Sequence, residues 1–341
     1  MMPKTAVVIL NYNGKPFLER FLPNVIKNSR GDAEIVVADN ASTDDSVPFM
    51  EKNFPDIRLI KNGINGGFAS GYNMALAQVE ADYYVLLNSD IEVTEGWIKP
   101  VIALMESDRD IVACQPKILS FCDRERFEYA GAAGGFIDKY GYPFCRGRIF
   151  QNLEKDEGQF DDVAECFWAS GACMFVRASV YRKLGGLDDN FFAHMEEIDF
   201  CWRAKNEGYK VMCCPKSTVY HIGGGTLPKN SPMKTYLNFR NNLSLLIKNL
   251  PDHRAFVTVT YRIILDWIAA FKFLCNGSFR DFFAVGHAHL SFYRRLPKLV
   301  RTRHENMHRH VSKVYLQNIV FKHFLERKKS FSQLDDRDFS K

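Results

Sequence analysis

Residues 83–90 read Tyr-Tyr-Val-Leu-Leu-Asn-Ser-Asp. An apolar run this short, closed by polar residues, suits a strand buried on both faces and is too short for a helix. Such strands belong to parallel sheets covered by helices, and ligands of open α/β sheets gather beyond the carboxyl ends of the strands. Asn88 and Asp90 stand at that end, two positions apart. Oxygen-bearing side chains there suit a hard cation and the phosphate oxygens it accompanies. The same triplet is also ordinary turn chemistry.

The residues before this run repeat the pattern. Thr5–Leu10, Glu34–Ala38 and Ile57–Ile60 read as strands. Helices follow each: from Pro16 to Ser29 with Pro23 inside, to about Asn53 after the capping residues Ser42–Asp45, and from Phe68 to Val79. Gly96–Glu106 is a further helix and Ile111–Ala113 a further strand. Strands alternating with helices predict a mostly parallel, doubly wound α/β sheet. Between Ser120 and Cys166 glycines interrupt the periodicity, which predicts loops and a small hairpin serving as a lid or acceptor-facing insertion. Ala172–Val176, Lys210–Cys214 and Thr218–Tyr220 then read as strands, and Ala178–Leu184, Glu196–Asn206 and Met233–Asn249 as helices.

Pro251 opens a different regime. Ala255–Asn276 is apolar except for Arg262, Asp266 and Lys272, which share one side of a helix and leave a wide apolar face. Eleven Lys and Arg against two Glu follow between Arg294 and Lys329. Two readings stand: a peripheral contact with an anionic membrane, or a helical cap with a solvated basic face. The chain thus divides into residues 1–250, a helical basic extension over 251–330, and a tail over 331–341 expected to be disordered.

Bulk properties exclude several classes. A net charge of +5 over 341 residues does not argue for a nucleic-acid partner. Nine cysteines without a C-x-x-C pair argue against zinc and against a disulfide framework, and suit reduced thiols in the cytoplasm. Thr5–Leu10 is far too short for the apolar core of a signal peptide.

Three strand ends carry polar residues: Asn11 and Asn13, Asp39, then Asn88 and Asp90. Together they suggest a shared site on one sheet edge. Asp39 could accept hydrogen bonds from a base or ribose, or serve the start of the next helix. The glycine-rich run Asn65–Asn73 opens a helix whose N–H groups could meet a phosphate, or it could serve close helix–strand packing. It matches neither G-x-G-x-x-G nor a P-loop. Glu196, Glu197 and Asp199 crowd the first turn of a helix, as an N-terminal cap might, but Phe191 and Phe192 approach them, and a carboxylate near apolar walls suits a general base. His221 ends a strand beside Gly223-Gly224-Gly225, open to a metal or phosphate.

In this order, VVILNYNG (7–14), VVADNASTDDS (36–46), NGGFASGYN (65–73), LLNSD (86–90), GLDDNFF (186–192), EEIDFCWR (196–203), His221 and Arg240-Asn241 resemble the family 2 inverting glycosyltransferases of GT-A fold, in their bacterial rhamnosyltransferase-like branch. The resemblance spans roughly Thr5 to Asn249. It implies transfer of a sugar, rhamnose first, from a nucleotide-diphosphate sugar (dTDP-rhamnose or a UDP-sugar) to a saccharide or polyprenyl-linked acceptor in cell-surface polysaccharide synthesis. It implies that Asp39, with Asn11 and Asn13, binds the nucleotide, and that Asn65, Gly66, Gly67 and Asn73 lie along the donor with Asn88 and Ser89. Asp90 and His221 would hold Mg²⁺ or Mn²⁺. Glu197 would be the base, with Glu196 as the alternative, supported by Asp199 and Arg203; Arg203 or Arg240 would otherwise meet the diphosphate. Asn88 replaces the first Asp of the family's D-x-D motif, and Glu197 its more usual Asp. A non-catalytic nucleotide-sugar-binding scaffold is an alternative. A sugar-phosphate nucleotidyltransferase would carry a basic, glycine-rich signature after its first strand, and Asn11-Tyr12-Asn13-Gly14 lacks it.

Overall fold

A computed structural model describes residues 3–223, 231–303 and 311–341. Gly224 and Gly225 of the glycine run, and residues 304–310 of the basic stretch, lie outside the described residues. Strands β1 (Thr5–Asn11), β2 (Glu34–Asp39), β3 (Arg58–Lys61) and β4 (Tyr83–Asn88) alternate with helices α1 (Lys15–Ser29), α2 (Ser46–Asn53) and α3 (Gly67–Leu76). Then come β5 (Ile91–Val93), α4 (Ile98–Ser107) and β6 (Ile111–Ser120). The insertion forms β7 (Gly135–Asp138), β8 (Pro143–Cys145), β9 (Arg148–Ile149) and β10 (Asn152–Leu153). The main body resumes with β11 (Ala164–Cys166), β12 (Cys173–Arg177), α5 (Ala178–Lys183), α6 (Glu196–Asn206), β13 (Lys210–His221) and α7 (Pro232–Asn249). Helices α8 (Asp252–Cys275) and α9 (Phe279–Thr302), strand β14 (Val314–Tyr315) and helix α10 (Ile319–Phe324) complete the chain, with 3-10 turns at Phe331–Gln333 and Asp336–Asp338.

The main sheet runs β11-β13-β6-β12-β4-β1-β2-β3, with β5 added to β13. Strands β1 to β4 pair in parallel. Residues alternate between two cores. Val7 and Ile9 pack with Leu18 and Leu22 of α1 and Val101 of α4. Ala6 and Val8 face Ala69 and Tyr72 of α3 and Phe200 of α6. This period of two is what places helices on both faces.

The sheet is more mixed than the alternation alone implied. β12 lies antiparallel between β4 and β6. The reason is topological: β6 ends at the carboxyl edge, the insertion stays there, and the next strand must run back. β13 is one strand where the sequence suggested two. Its register shifts between Cys214 and Thr218, around Pro215, which cannot donate to a ladder.

The insertion is also more ordered than loops and a hairpin. It forms a second sheet, β10-β9-β8-β7-β14, whose last strand comes from the C-terminal region. Nor is the tail over 331–341 disordered. Phe331 and Phe339 pack on Phe136 with ring centroids 4.9 and 5.3 Å away. Ser340 exchanges backbone hydrogen bonds with Lys313 and Val314, at 2.8 Å each. Aromatic residues that can be buried against an existing cluster offset the entropy of ordering the tail.

Candidate active site

The strand ends meet because of register. Asn11 pairs with Asp39, and Leu10 with Asn88. On the other side of the sheet His221 pairs with Ile91, directly after Asp90. That juxtaposition brings His221 Nε2 to 3.1 Å from Asp90 Oδ1 and 3.4 Å from Asn88 Nδ2. The Gly223 N–H donates to Asp90 Oδ2 at 3.2 Å.

Glu128, which carried no signal in the sequence, faces the other edge of the same imidazole: His221 Nδ1 lies 3.2 Å from Glu128 Oε2. Glu128 comes from the insertion, where its N–H donates to Ile118 O of β6. A side chain at Gly223 would strike Glu128 Oε1, and Gly223 has φ of 74°, so the position suits glycine twice over. All three groups are buried. Burial disfavours charge on His221, but Asp90 and then Glu128 outweigh it and push the imidazole up to about 10. Burial likewise opposes ionisation of both carboxyls, and the imidazolium charge wins, holding each below its ordinary range.

A divalent cation fits one part of this arrangement. Asp90 offers a carboxylate, and Nε2 a nitrogen once its proton is gone. A ring whose far nitrogen meets a carboxylate has the usual surroundings of a ligating histidine. Among the described residues no three His, Cys, Asp or Glu side chains form a cage of their own, so substrate oxygens would complete the coordination, as Mg²⁺-type sites commonly require.

The acidic pair opens α6. Residues Phe192, His194 and Met195 just before it have φ of 67°, 70° and 78°, left-handed values that side-chain-bearing residues rarely adopt. Such conformations cluster at functional sites and need support. Asn241 Nδ2 donates to the carbonyls of Phe191, Ala193 and His194 at 2.8 to 2.9 Å. Arg240 donates to Phe191 O at 2.8 Å. Buried Glu196 and half-buried Glu197 each have an Oε2 with no hydrogen-bond partner. Burial pushes both carboxyls up, Glu197 to about 7, and the neighbouring Glu197 adds to the rise at Glu196. A Cβ built on Gly171 would lie 3.8 Å from Glu197 Cβ and 2.9 Å from Phe68. Next to Gly171, Ala172 O accepts from Asn88 N at 2.9 Å. The base candidate and the strand-end cluster therefore border the same short loop.

Behind the pair, Asp199 is fully buried and accepts from Arg203 Nε and Lys248 Nζ, each at 2.8 Å, and from Asn249 at 2.9 Å. Against the opposing effect of burial, Lys248 and Arg203 hold its carboxyl down to about 2. Arg203 also donates to Leu184 O and Gly186 O. Both Asp199 and Arg203 thus brace α6 and its approach.

Several other residues expected at the donor are used internally. Asn73 donates to Leu187 O and Asp189 Oδ1 and accepts from Tyr181 OH and Leu187 N, which fills its capacity. Arg240 clamps the loop before α6, donating to Asn190 O and Phe191 O. Asn13 Oδ1 accepts from the N–H groups of Thr43 and Asp44. Asn65 Oδ1 accepts from Gly67 N and Asn40 Nδ2. The start of α3 is not open to phosphate: Phe68 N and Ala69 N both donate to Phe192 O, at 2.6 and 3.3 Å. Gly67, at φ of 74°, leaves no room for a Cβ, which would lie 2.3 Å from that oxygen, and a Cβ at Gly66 would strike Ser70. Asp39 is buried and bonded to Asn11 Nδ2 at 3.1 Å and Ser42 N at 2.9 Å. Asn11 Oδ1 is buried without a partner beneath Gly14, close to Ser89. An open cavity of about 820 Å³ lined by Lys4, Asn73, Asp82, Tyr84, Arg182 and Gly186 lies at the amino ends of β1 and β4; of the expected site residues only Asn73 reaches it, and Asp90, Glu197 and His221 do not.

The architecture is that of a GT-A glycosyltransferase. The likeness covers 87% of this chain and 84% of S. aureus TarS 1-349 in complex with UDP-GlcNAc, with a TM-score of 0.55 at 14% identity. For GalNAc-T7 with UDP, GalNAc and Mn2+ the TM-score is also 0.55 at 18% identity, over 74% of this chain and 49% of that one. Within that class the chain belongs to glycosyl transferase family 2, whose model matches residues 6–185. Among its relatives, a low-salt glycan biosynthesis hexosyltransferase of Haloferax volcanii is 27% identical over 71% of this chain and 75% of its own. An N-acetylglucosaminyl-diphospho-decaprenol L-rhamnosyltransferase of Mycobacterium tuberculosis is 26% identical over 63% of this chain and 75% of its own. A dTDP-rhamnosyl transferase of Shigella flexneri is 24% identical over 71% and 79%.

Proposed function

We propose that the protein transfers a sugar, with inversion, from a nucleotide-diphosphate sugar to a saccharide or lipid-linked saccharide in polysaccharide synthesis. One observation carries the reading: the two carboxylates that open α6 keep buried oxygens without partners beside the loop that also touches Asn88. Glu197 takes the proton of the acceptor hydroxyl as that oxygen bonds to the anomeric carbon. The bond to the diphosphate breaks, and its electron pair leaves with the diphosphate. Burial keeps Glu197 poised near neutral pH, and Glu196, more deeply buried and beside Glu197, is the partner held protonated. Asp199, Arg203, Arg240 and Asn241 position the pair without meeting the substrate. A divalent cation, Mg²⁺ or Mn²⁺, held by Asp90 and His221 would supply neutralisation of the leaving diphosphate. Asn11, Asp39 and Ser89 form the nucleotide side of the site.

The donor is dTDP-rhamnose ahead of a UDP-sugar: the names of the Mycobacterium and Shigella relatives support rhamnose, and that of the Shigella relative supports dTDP. The test is binding and slow hydrolysis of a panel of nucleotide sugars with and without Mn²⁺. One donor should bind in a metal-dependent way and be hydrolysed. Binding without any turnover, with or without a saccharide acceptor, would favour a scaffold instead.

A further inference from the structure

Helix α8 is turned the unusual way round. Two of its charged residues, Arg262 and Asp266, are 4% and 1% exposed and pair with each other at 3.2 Å; Arg262 stacks on the Tyr142 ring of the insertion at 3.7 Å and Asp266 meets His289 of α9, while Arg254 and Lys272 stay exposed. It buries the smaller apolar residues Ala255, Val259 and Ala270 and turns large ones outward: Phe256 is 78% exposed, Ile268 62% and Phe271 56%. A helix facing water does the opposite.

The apolar face continues onto both neighbours. Trp267 and Phe271 of α8 pack on Phe282 of α9 at 6.1 and 5.9 Å, beside exposed Phe279 and Phe283. Lys272 of α8 lies 5.1 Å from the Phe324 ring of α10, beside exposed Leu325. The same elements expose basic residues: Lys272 of α8, at the Phe324 ring, Arg280, Arg294 and Arg301 of α9, and Lys329 after α10. Acidic residues beside them are already engaged, Glu326 by Lys322 at 3.0 Å and Asp281 by Thr235 at 2.7 Å. Among the described residues no helix is long and apolar enough to cross a membrane.

We infer that this three-element face docks on a lipid bilayer carrying anionic headgroups, with the apolar side chains among the acyl chains and the basic residues at the phosphates. Charge decides the occupant. A second copy of the chain in a two-fold dimer would set this patch against itself, basic residues against basic residues. An anionic surface complements both parts. The inference rests on the proposed transfer to a lipid-linked acceptor for its purpose, because Arg295 of α9 donates to Asn190 O at 2.8 Å, in the approach to the acidic pair. Docking α8 and α9 would therefore hold the segment before the acidic pair close to the membrane. Its test reads binding alone and stands apart from turnover.

The experiment is co-sedimentation of the full chain with vesicles of phosphatidylcholine, or of equimolar phosphatidylcholine and phosphatidylglycerol. The wild type should pellet with the anionic vesicles and be released by salt. The variant Ile268→Glu/Phe271→Glu/Phe283→Glu should bind on the order of a hundredfold more weakly. A second variant, Lys272→Gln/Arg294→Gln/Arg301→Gln, should lose the preference for anionic vesicles at unchanged melting temperature. Wild type left in the supernatant, or either variant behaving as wild type, overturns the inference. So does a wild-type dimer that the first variant splits while neither form binds vesicles.

Discussion

His221 Nδ1 lies 3.2 Å from Glu128 Oε2, on the edge of the ring opposite Asp90. With the imidazole charged, both nitrogens carry protons; once Nε2 gives its proton up to a cation, a carboxylate beside Nδ1 keeps the remaining proton there. Glu128→Gln keeps the shape but removes the charge. Removing such a supporting partner lowers metal affinity by roughly ten- to a hundredfold. Titration of Mn²⁺ by electron paramagnetic resonance, in the presence of a nucleoside diphosphate, checks this; unchanged affinity would reduce Glu128 to a packing residue.

The acidic pair should cost stability at high pH. Burial raises both carboxyls. An unfolded glutamate loses its proton near pH 4.3, at about the pKa of an unperturbed side chain. Between there and the raised values the folded state holds more protons than the unfolded one, so stability falls as pH rises. The stability present below pH 4 or so is lost through neutrality. Glu196→Gln removes most of this slope, and its melting temperature should exceed that of wild type at pH 8 but not at pH 4. Parallel melting curves for the two proteins across that range would contradict the account.

Asp199 holds three donors with no exposure to water. Asp199→Asn leaves Arg203 and Lys248 without their shared counter-charge, and breaking a buried pair costs about 3–5 kcal/mol. Chemical denaturation measures the loss. A change below about 1 kcal/mol, the scale of an exposed pair, would show that the network is not what anchors α6.

Asn241 touches three carbonyls of the left-handed loop and no candidate substrate group. Asn241→Ala should therefore lower kcat by about a hundredfold, the scale expected when a catalytic group shifts by an ångström, while donor affinity holds. Loss of donor affinity at constant kcat would place Asn241 at the nucleotide instead.

Much of this was legible in the sequence, for physical reasons. Buried parallel strands declare themselves as apolar runs, and their polar ends marked Asn11, Asp39, Asn88 and Asp90 correctly as one edge. The α6 boundaries followed from its acidic first turn and Gly208. What was hidden depends on distant partners. Glu128 lies in a stretch without periodicity and meets His221 only through β6 and β13. The partners of Asn73 (Leu187, Asp189 and Tyr181) and of Arg240 (the carbonyls of Asn190 and Phe191) are distant residues that no local pattern announces. The wheel of α8 grouped Arg262, Asp266 and Lys272 on one side but could not tell that Arg262 and Asp266 turn inward while Lys272 stays exposed. The aromatic tail looked too short and polar to fold, because its partners Phe136 and Phe144 lie far back in the chain.

The central claim is that Glu197 is the base. Turnover of the bound donor by Glu197→Gln, measured beside donor affinity and against pH, tests it most directly. The account predicts unchanged affinity, a loss of about 10²–10⁴ in rate, and disappearance of the wild-type acid limb near pH 7, where the Glu197 carboxyl gives up its proton. A variant that turns over as fast as wild type, with the same pH limb, would contradict it and move the role to Glu196.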